Sequence, residues 1–217
     1  MVQLSVVHLT NAISPDKLGG LERYVRELAE QLSRDGLNVT IITKRVHPTL
    51  PAREVSANGV VIFRHRVPSK SKKTFAVRYP FVVGYGVLRD LRHIPKTSIV
   101  NCHYALTTLP LLLTRRQFIY TFHAPVHKEI LNERGGSYVL PKVIQQFAVA
   151  AVRLTEKAIL RRAQTIVVLS DAMADEVRDL VPSGAAKIVK IPGGFDGDLF
   201  SPSDDRKVEG FASPVRL

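Results

Sequence analysis

Histidines close two apolar runs of this sequence, His103 in "SIVNCHYAL" and His123 in "FIYTFHAPVHKE", and a glycine pair, Gly19 and Gly20, separates an earlier run, Leu4 to Leu9, from a segment patterned as helix. An imidazole at a strand end can donate, accept or carry a proton near neutral pH. Glycines at a helix start let a phosphate or sugar reach backbone N–H groups, where the helix carries a partial charge of about +0.5. The plainer readings are a turn that needs positive φ and satisfied structural histidines. Two histidines at matching strand ends beside a glycine turn favour function, and their spacing alone leaves a zinc pair open. There is no G-x-G-x-x-G, which argues against an NAD or FAD site, and no H-E-x-x-H, cysteine pair or G-x-S-x-G that would support a hydrolase. The carboxylates of "DGD" and "SDD" near the C-terminus read as ordinary loop solvation, so no metal is expected.

These residues need elements to hold them. The runs "LSVVHL", "NVTIIT", "GVVIFRHRV", "SIVNCH", "FIYTFH", "TIVVLS" and "KIVKIP" are short, β-branched and separated by helical patterns. Such alternation predicts an α/β fold with a Rossmann-like, doubly wound, mostly parallel sheet. Ligands of such sheets bind outside the carboxyl ends of the strands, which is where the glycine pair and both histidines fall. In the first helix Leu21, Tyr24, Val25, Leu28, Ala29 and Leu32 form the apolar face, while Glu22, Arg23, Arg26, Glu27, Glu30 and Arg34 fill the other and Gly36 ends it. A long helix is predicted from near Pro141 to "LRRAQ", and a last one from the N-cap Ser170 to just before Pro182.

Lys and Arg number 31 against 19 Asp and Glu, a net charge of +12 over 217 residues, so a negatively charged partner is expected. Cys102 is the sole cysteine, which excludes an internal disulfide and favours a cytoplasmic setting. No apolar run reaches the length of a membrane span. Between Glu54 and Asp90 there is no acidic residue, while Arg64, Arg66, Lys70, Lys72, Lys73, Arg78 and Arg89 are interleaved with Phe75, Tyr79, Phe81 and Tyr85. That composition suits an anionic membrane surface or an anionic acceptor, with Lys73 and Arg78 as acceptor contacts. A solvated loop and helix is the plainer reading.

Taken in order, "LGGLERYVRELAEQLSRDGLNVTIIT", "NCHYALTTLPLL", "YTFHAP", "RLTEKAILRRAQTIVVLSDAMADEV" and "KIVKIPGGFDGDLFSP" resemble the N-terminal domain of the retaining, nucleotide-sugar-dependent glycosyltransferases of the GT-B fold. The similarity is to the large bacterial group, family 4, that includes phosphatidylinositol mannosyltransferases. The resemblance implies two Rossmann-like domains facing across a cleft, the first holding the acceptor and the second the nucleotide sugar. It implies that 1–202 are the acceptor-binding half and 203–217 a hinge into a missing C-terminal domain, so that the chain alone turns over little or not at all. By the same resemblance Gly19 and Gly20 approach the donor diphosphate, Glu22 and His103 lie on the acceptor side, and His123 is the catalytic residue beside the donor sugar. Gly193, Gly194 and Asp196 belong to an interdomain loop in which glycine stands where asparagine is common. The implied reaction is hexosyl transfer with retention, driven by electrostatic stabilisation of the leaving diphosphate, with no cofactor beyond the nucleotide sugar. The resemblance leaves the acceptor open among a lipid-linked group, a polysaccharide precursor and a small molecule, with anionic ones included, met in the cytoplasm or at the inner face of the plasma membrane. Two rival readings are a basic nucleic-acid-binding protein, for which no motif is present, and a noncatalytic Rossmann-like partner subunit.

Overall fold

The computed structural model of the chain describes residues 4–68, 75–126 and 142–194. In chain order these form β1 (Ser5–Leu9), α1 (Gly20–Arg34), β2 (Asn38–Lys44), β3 (Arg53–Val55), β4 (Val61–His65), α2 (Phe75–Leu91), β5 (Ile99–Cys102), α3 (Ala105–Thr108), β6 (Ile119–Phe122), α4 (Lys142–Arg162), β7 (Thr165–Val168), α5 (Asp171–Leu180) and β8 (Ile188–Lys190). One sheet contains all the strands, in the order β3-β4-β2-β1-β5-β6-β7-β8. Every pairing is parallel except that of β3 with β4. The predicted α/β, Rossmann-like, doubly wound sheet is therefore present, with each of the seven apolar runs as a strand. The edge strand β3 is the addition: "REV" carries no apolar run, and its pairing comes from β4 alone.

Alternation along the strands divides the interior in two. Val7 and Leu9 of β1 join Ile42, Val100, Cys102, Tyr120, Phe122, Ile166 and Val168 in the larger core, which α2, α4 and α5 cover with Val83, Val87, Ile159, Leu160, Ala174 and Val177. On the other face Val39, Ile41 and Ile62 pack under Val25 and Ala29 of α1. From β1 the chain winds outward through β2 to β4, then crosses back to β5 and winds the opposite way. The reversal lies between β1 and β5, and in doubly wound sheets the carboxyl edge at such a switch point is where a ligand crevice is expected.

The helix ends follow local chemistry. Gly36, at φ 88°, lets its own N–H reach the Ser33 carbonyl and the Leu37 N–H reach the Leu32 carbonyl at 3.0 and 3.1 Å, closing α1. The Ser170 hydroxyl accepts from the Met173 N–H at 3.3 Å and starts α5 as predicted. The loop from β1 to α1 is held from the side by Arg64 of β4, which is buried and donates to both oxygens of Asp16 at 2.6 and 3.1 Å and to Glu54 at 2.6 Å. This corrects the reading of Arg64 as part of a basic surface: its charge is spent on a buried ion network.

Two glycines of α2 differ in what surrounds them. A Cβ on Gly86 would lie 2.6 Å from the Cβ and Cγ of His65, near backbone that cannot swing away, whereas one on Gly84 would meet Pro110 at an ordinary 3.5 Å. Helix propensity favours alanine over glycine by about 1 kcal/mol at both. Gly84→Ala is expected to stabilise the protein by about 0.5–1 kcal/mol and Gly86→Ala to destabilise it by about 1–3 kcal/mol, as read from urea unfolding midpoints. Equal effects would refute the close helix-to-strand packing at Gly86.

Candidate functional site

At the reversal, alternation places a set of polar side chains on the α1 face of the sheet, buried at β1 and partly exposed at His123. His8 is opposite Asn101 in the β1–β5 register, and Asn101 is opposite Ile119 in the β5–β6 register. His103 and His123 therefore stand one and two side-chain repeats further toward the carboxyl edge, and the three imidazoles climb the sheet diagonally. His8 Nδ1 lies 3.0 Å from His103 Nε2, and His103 Nδ1 lies 3.1 Å from His123 Nε2. Beside them the Thr121 hydroxyl donates to Asn101 Oδ1 at 2.9 Å. Tyr24, from the first turns of α1, sets its ring edge-on to His123 at 5.1 Å between centroids and to His103 at 6.1 Å.

Burial decides the charge of this chain. It lowers the pKa of His8 to about 4, that of His103 well below its ordinary value with both neighbouring histidines adding to the effect, and that of His123 to about 4 despite an opposing attraction to Glu22. All three rings are neutral at pH 7. Each inter-ring contact uses one nitrogen from either partner, so the hydrogen-bonded nitrogens face one another rather than a common centre. Among the described residues no group of three or more His, Cys, Asp or Glu is placed to hold a metal ion. The buried Cys102 thiol is pushed up to about 12 and is no nucleophile at neutral pH.

The glycine pair adjoins this chain through Glu22. The carboxylate folds back over the first turn of α1, buried, and pairs with Lys17 at 2.9 Å. A Cβ on Gly19 would collide with it, while one on Gly20 would meet nothing within 4 Å. Gly19 is extended at φ 170°, a conformation open to any residue, and neither glycine adopts positive φ, so tight-turn strain does not account for the pair. Room for a carboxylate explains Gly19; open access to an N-terminus that no side chain caps remains at Gly20. The expectation that Glu22 lies on the solvated side of α1 is corrected: its side chain turns inward in the first turn of the helix, where the buried carboxylate pairs with Lys17 and benefits from the positive end of the helix dipole.

The structure thus gathers Gly19, Gly20, Glu22, His103 and His123 at one edge. Arg78 is exposed on α2, a helix of the opposite sheet face. Gly193 and Gly194 are exposed beyond β8, after Ile191 has donated to the Val168 carbonyl at 2.9 Å. Lys73 and Asp196 lie outside the described residues. His8 escaped sequence reasoning because a histidine inside "LSVVHL" looks like one strand residue among others; the signal was a polar ring set among Val6, Val7 and Leu9. Its burial has a measurable consequence. Below its ordinary pKa of 6.5 His8 takes up a proton in the unfolded chain but not in the folded one until about pH 4, so stability is lost as pH falls through that window. From pH 7 to pH 5 the loss from His8 alone is expected to be about 2 kcal/mol, seen as a lower urea midpoint. An unchanged midpoint would mean that the imidazoles are not buried as a neutral chain.

Comparison with known proteins covers nearly the whole chain. The profile of Glycosyltransferase Family 4 matches residues 18–199. D-inositol 3-phosphate glycosyltransferase from Kineococcus radiotolerans is 28% identical over 100% of this chain and 49% of its own length, and that from Corynebacterium urealyticum is 25% identical over 88% and 45%. The chain spans about half the length of the curated relatives it matches. Among solved structures, sucrose-phosphate synthase from Thermosynechococcus elongatus superposes with a TM-score of 0.67 at 18% identity over 92% of this chain and 50% of that one. Anabaena HepE in complex with UDP-glucose does so with 0.54 at 14% identity, over 93% and 48%. The fold is that of one half of the GT-B glycosyltransferases, and on the extent of the profile match the chain belongs to glycosyltransferase family 4.

Proposed function

We propose that the crevice between β1 and β5 is the acceptor side of a glycosyl-transfer site that moves a hexosyl group, with retention, from a nucleotide sugar to an anionic acceptor. The observation that carries this reading is the meeting of three features at one sheet edge: a neutral imidazole, His123, at the open end of a buried histidine chain, an uncapped helix N-terminus, and unobstructed space at Gly20. In this reading the amides at Gly19 and Gly20 face the diphosphate of the donor as its bond to the anomeric carbon breaks. They stabilise negative charge that grows on the leaving oxygen. His123 touches the sugar undergoing transfer, while His103, Glu22 and Lys17 bound the acceptor, whose hydroxyl attacks the same face. The nucleotide sugar is held by a second α/β domain across the crevice, reached through 203–217, and residues 1–202 by themselves turn over little. A phosphorylated polyol is the favoured acceptor, since the relatives in sequence are named for D-inositol 3-phosphate and this chain carries a net charge of +12.

A lipid-linked acceptor has one specific observation in its favour. Arg78, Phe81, Tyr85 and Arg89 follow each other at helical spacing along the exposed side of α2, with Phe81 74% and Tyr85 69% exposed. Aromatic rings between arginines suit reversible attachment to an anionic leaflet on the cytoplasmic side, each cation contributing about 1 kcal/mol. Among the described residues no helix is long and apolar enough to cross a membrane.

In the full-length protein His123→Ala is expected to lower kcat/KM for transfer to a phosphorylated polyol at least about tenfold, or about 1.4 kcal/mol. Unchanged turnover would remove His123 from the site. Binding to phosphatidylglycerol vesicles should weaken with salt and drop severalfold in Phe81→Ser combined with Arg78→Glu; a wild-type protein that ignores such vesicles would leave only the free acceptor.

A further inference from the structure

We propose that His8 is a positioning residue: from inside the core it sets which ring nitrogen of His123 carries hydrogen, so that His123 offers an N–H from Nδ1 to an oxygen of the bound sugar or phosphate. The inference rests on the reading of the crevice given above, but its structural half stands on geometry alone. A neutral imidazole has one N–H and one bare nitrogen. Each of the two inter-ring contacts, 3.0 and 3.1 Å, needs one of each. The three rings must then share one sense, all carrying hydrogen on Nδ1 or all on Nε2.

The far end of the chain breaks the tie. His8 is 1% exposed, and its Nε2 is buried with no hydrogen-bond partner among the described residues. In the Nε2–H sense that atom would be an orphaned donor inside the protein. In the Nδ1–H sense it is a bare nitrogen, and orphaned acceptors are tolerated better than orphaned N–H groups. His8 Nδ1 therefore donates to His103 Nε2, and His103 Nδ1 donates to His123 Nε2. The Nδ1–H of His123 is left for a ligand. The device converts a hydrophobic surrounding at one strand into hydrogen-bond polarity two strands away. It selects for a ligand oxygen with a free lone pair at that point and disfavours a donor.

The test is the tautomer itself, read by long-range proton–nitrogen correlation on the full-length protein labelled with 15N. His8, His103 and His123 are each expected in the Nδ1–H form. In His8→Leu, which has no hydrogen to donate, His103 and His123 should regain Nε2–H character and transfer should fall about tenfold in kcat/KM. His8→Asn places an amide N–H near the position of Nδ1 and should keep both the tautomer and the rate within about twofold of wild type. A wild-type His123 in the Nε2–H form overturns the proposal, as does a His8→Leu spectrum in which His123 is unchanged. Should His8→Leu not fold, the wild-type spectrum and His8→Asn decide alone. An Nδ1–H chain found together with turnover indifferent to His123→Ala overturns the reading of the crevice, not the imidazole chain.

Discussion

Successive side chains of a strand point to opposite faces, and where a parallel sheet reverses its winding the two faces are opened to each other at one edge. The rest of this molecule depends on that conjunction. Had β5 paired with β1 one residue out of register, His103 would point into the apolar core beside Val7 and Leu9, and no imidazole chain could form. The ladder of backbone hydrogen bonds between β1, β5 and β6 thus does more than hold strands together. It sets the diagonal rise of His8, His103 and His123 and so carries a buried residue's influence to the sheet edge.

Charge is handled in two different ways within a short distance. Arg64 stays ionised in the interior because Asp16 and Glu54 supply both countercharge and hydrogen bonds, and the same contact ties the β1–α1 loop to β4, two strands away. The histidines have no such partners in the core and are held neutral instead. A neutral chain cannot serve as a reservoir of charge at pH 7. What it supplies is direction, since an imidazole can pass on the sense of a hydrogen bond. Glu22 stands at the boundary between the two regimes, a buried carboxylate stabilised by Lys17 and by the mouth of α1.

Glycine has three separate uses here. Gly36 allows positive φ at the end of α1, Gly86 lets α2 lie against His65, and Gly19 leaves room for the Glu22 carboxylate. Only the first belongs to the backbone itself. The other two are set by neighbours, and Gly86 is opposed by helix propensity, which is the pattern expected where tertiary packing overrides a local preference.

Much of the architecture could be read from the residues because it depends on local patterns. Seven β-branched runs, the helical spacing of Leu21, Val25 and Ala29, Ser170 as a cap and Gly36 as a stop are each properties of a few consecutive positions, and each holds in the structure. The strand-end places of His103 and His123 were legible for the same reason. What sequence could not decide depends on which strands become neighbours. β3 exists only because β4 offers it an edge, Arg64 is drawn inside by Asp16, 48 positions away, and Glu22 turns inward because Gly19 and Lys17 make room and charge for it. His8 shows the difference most plainly. Its place in an apolar run is visible by eye, but its meaning comes from His103, 95 positions later, through a register that the tertiary fold alone creates.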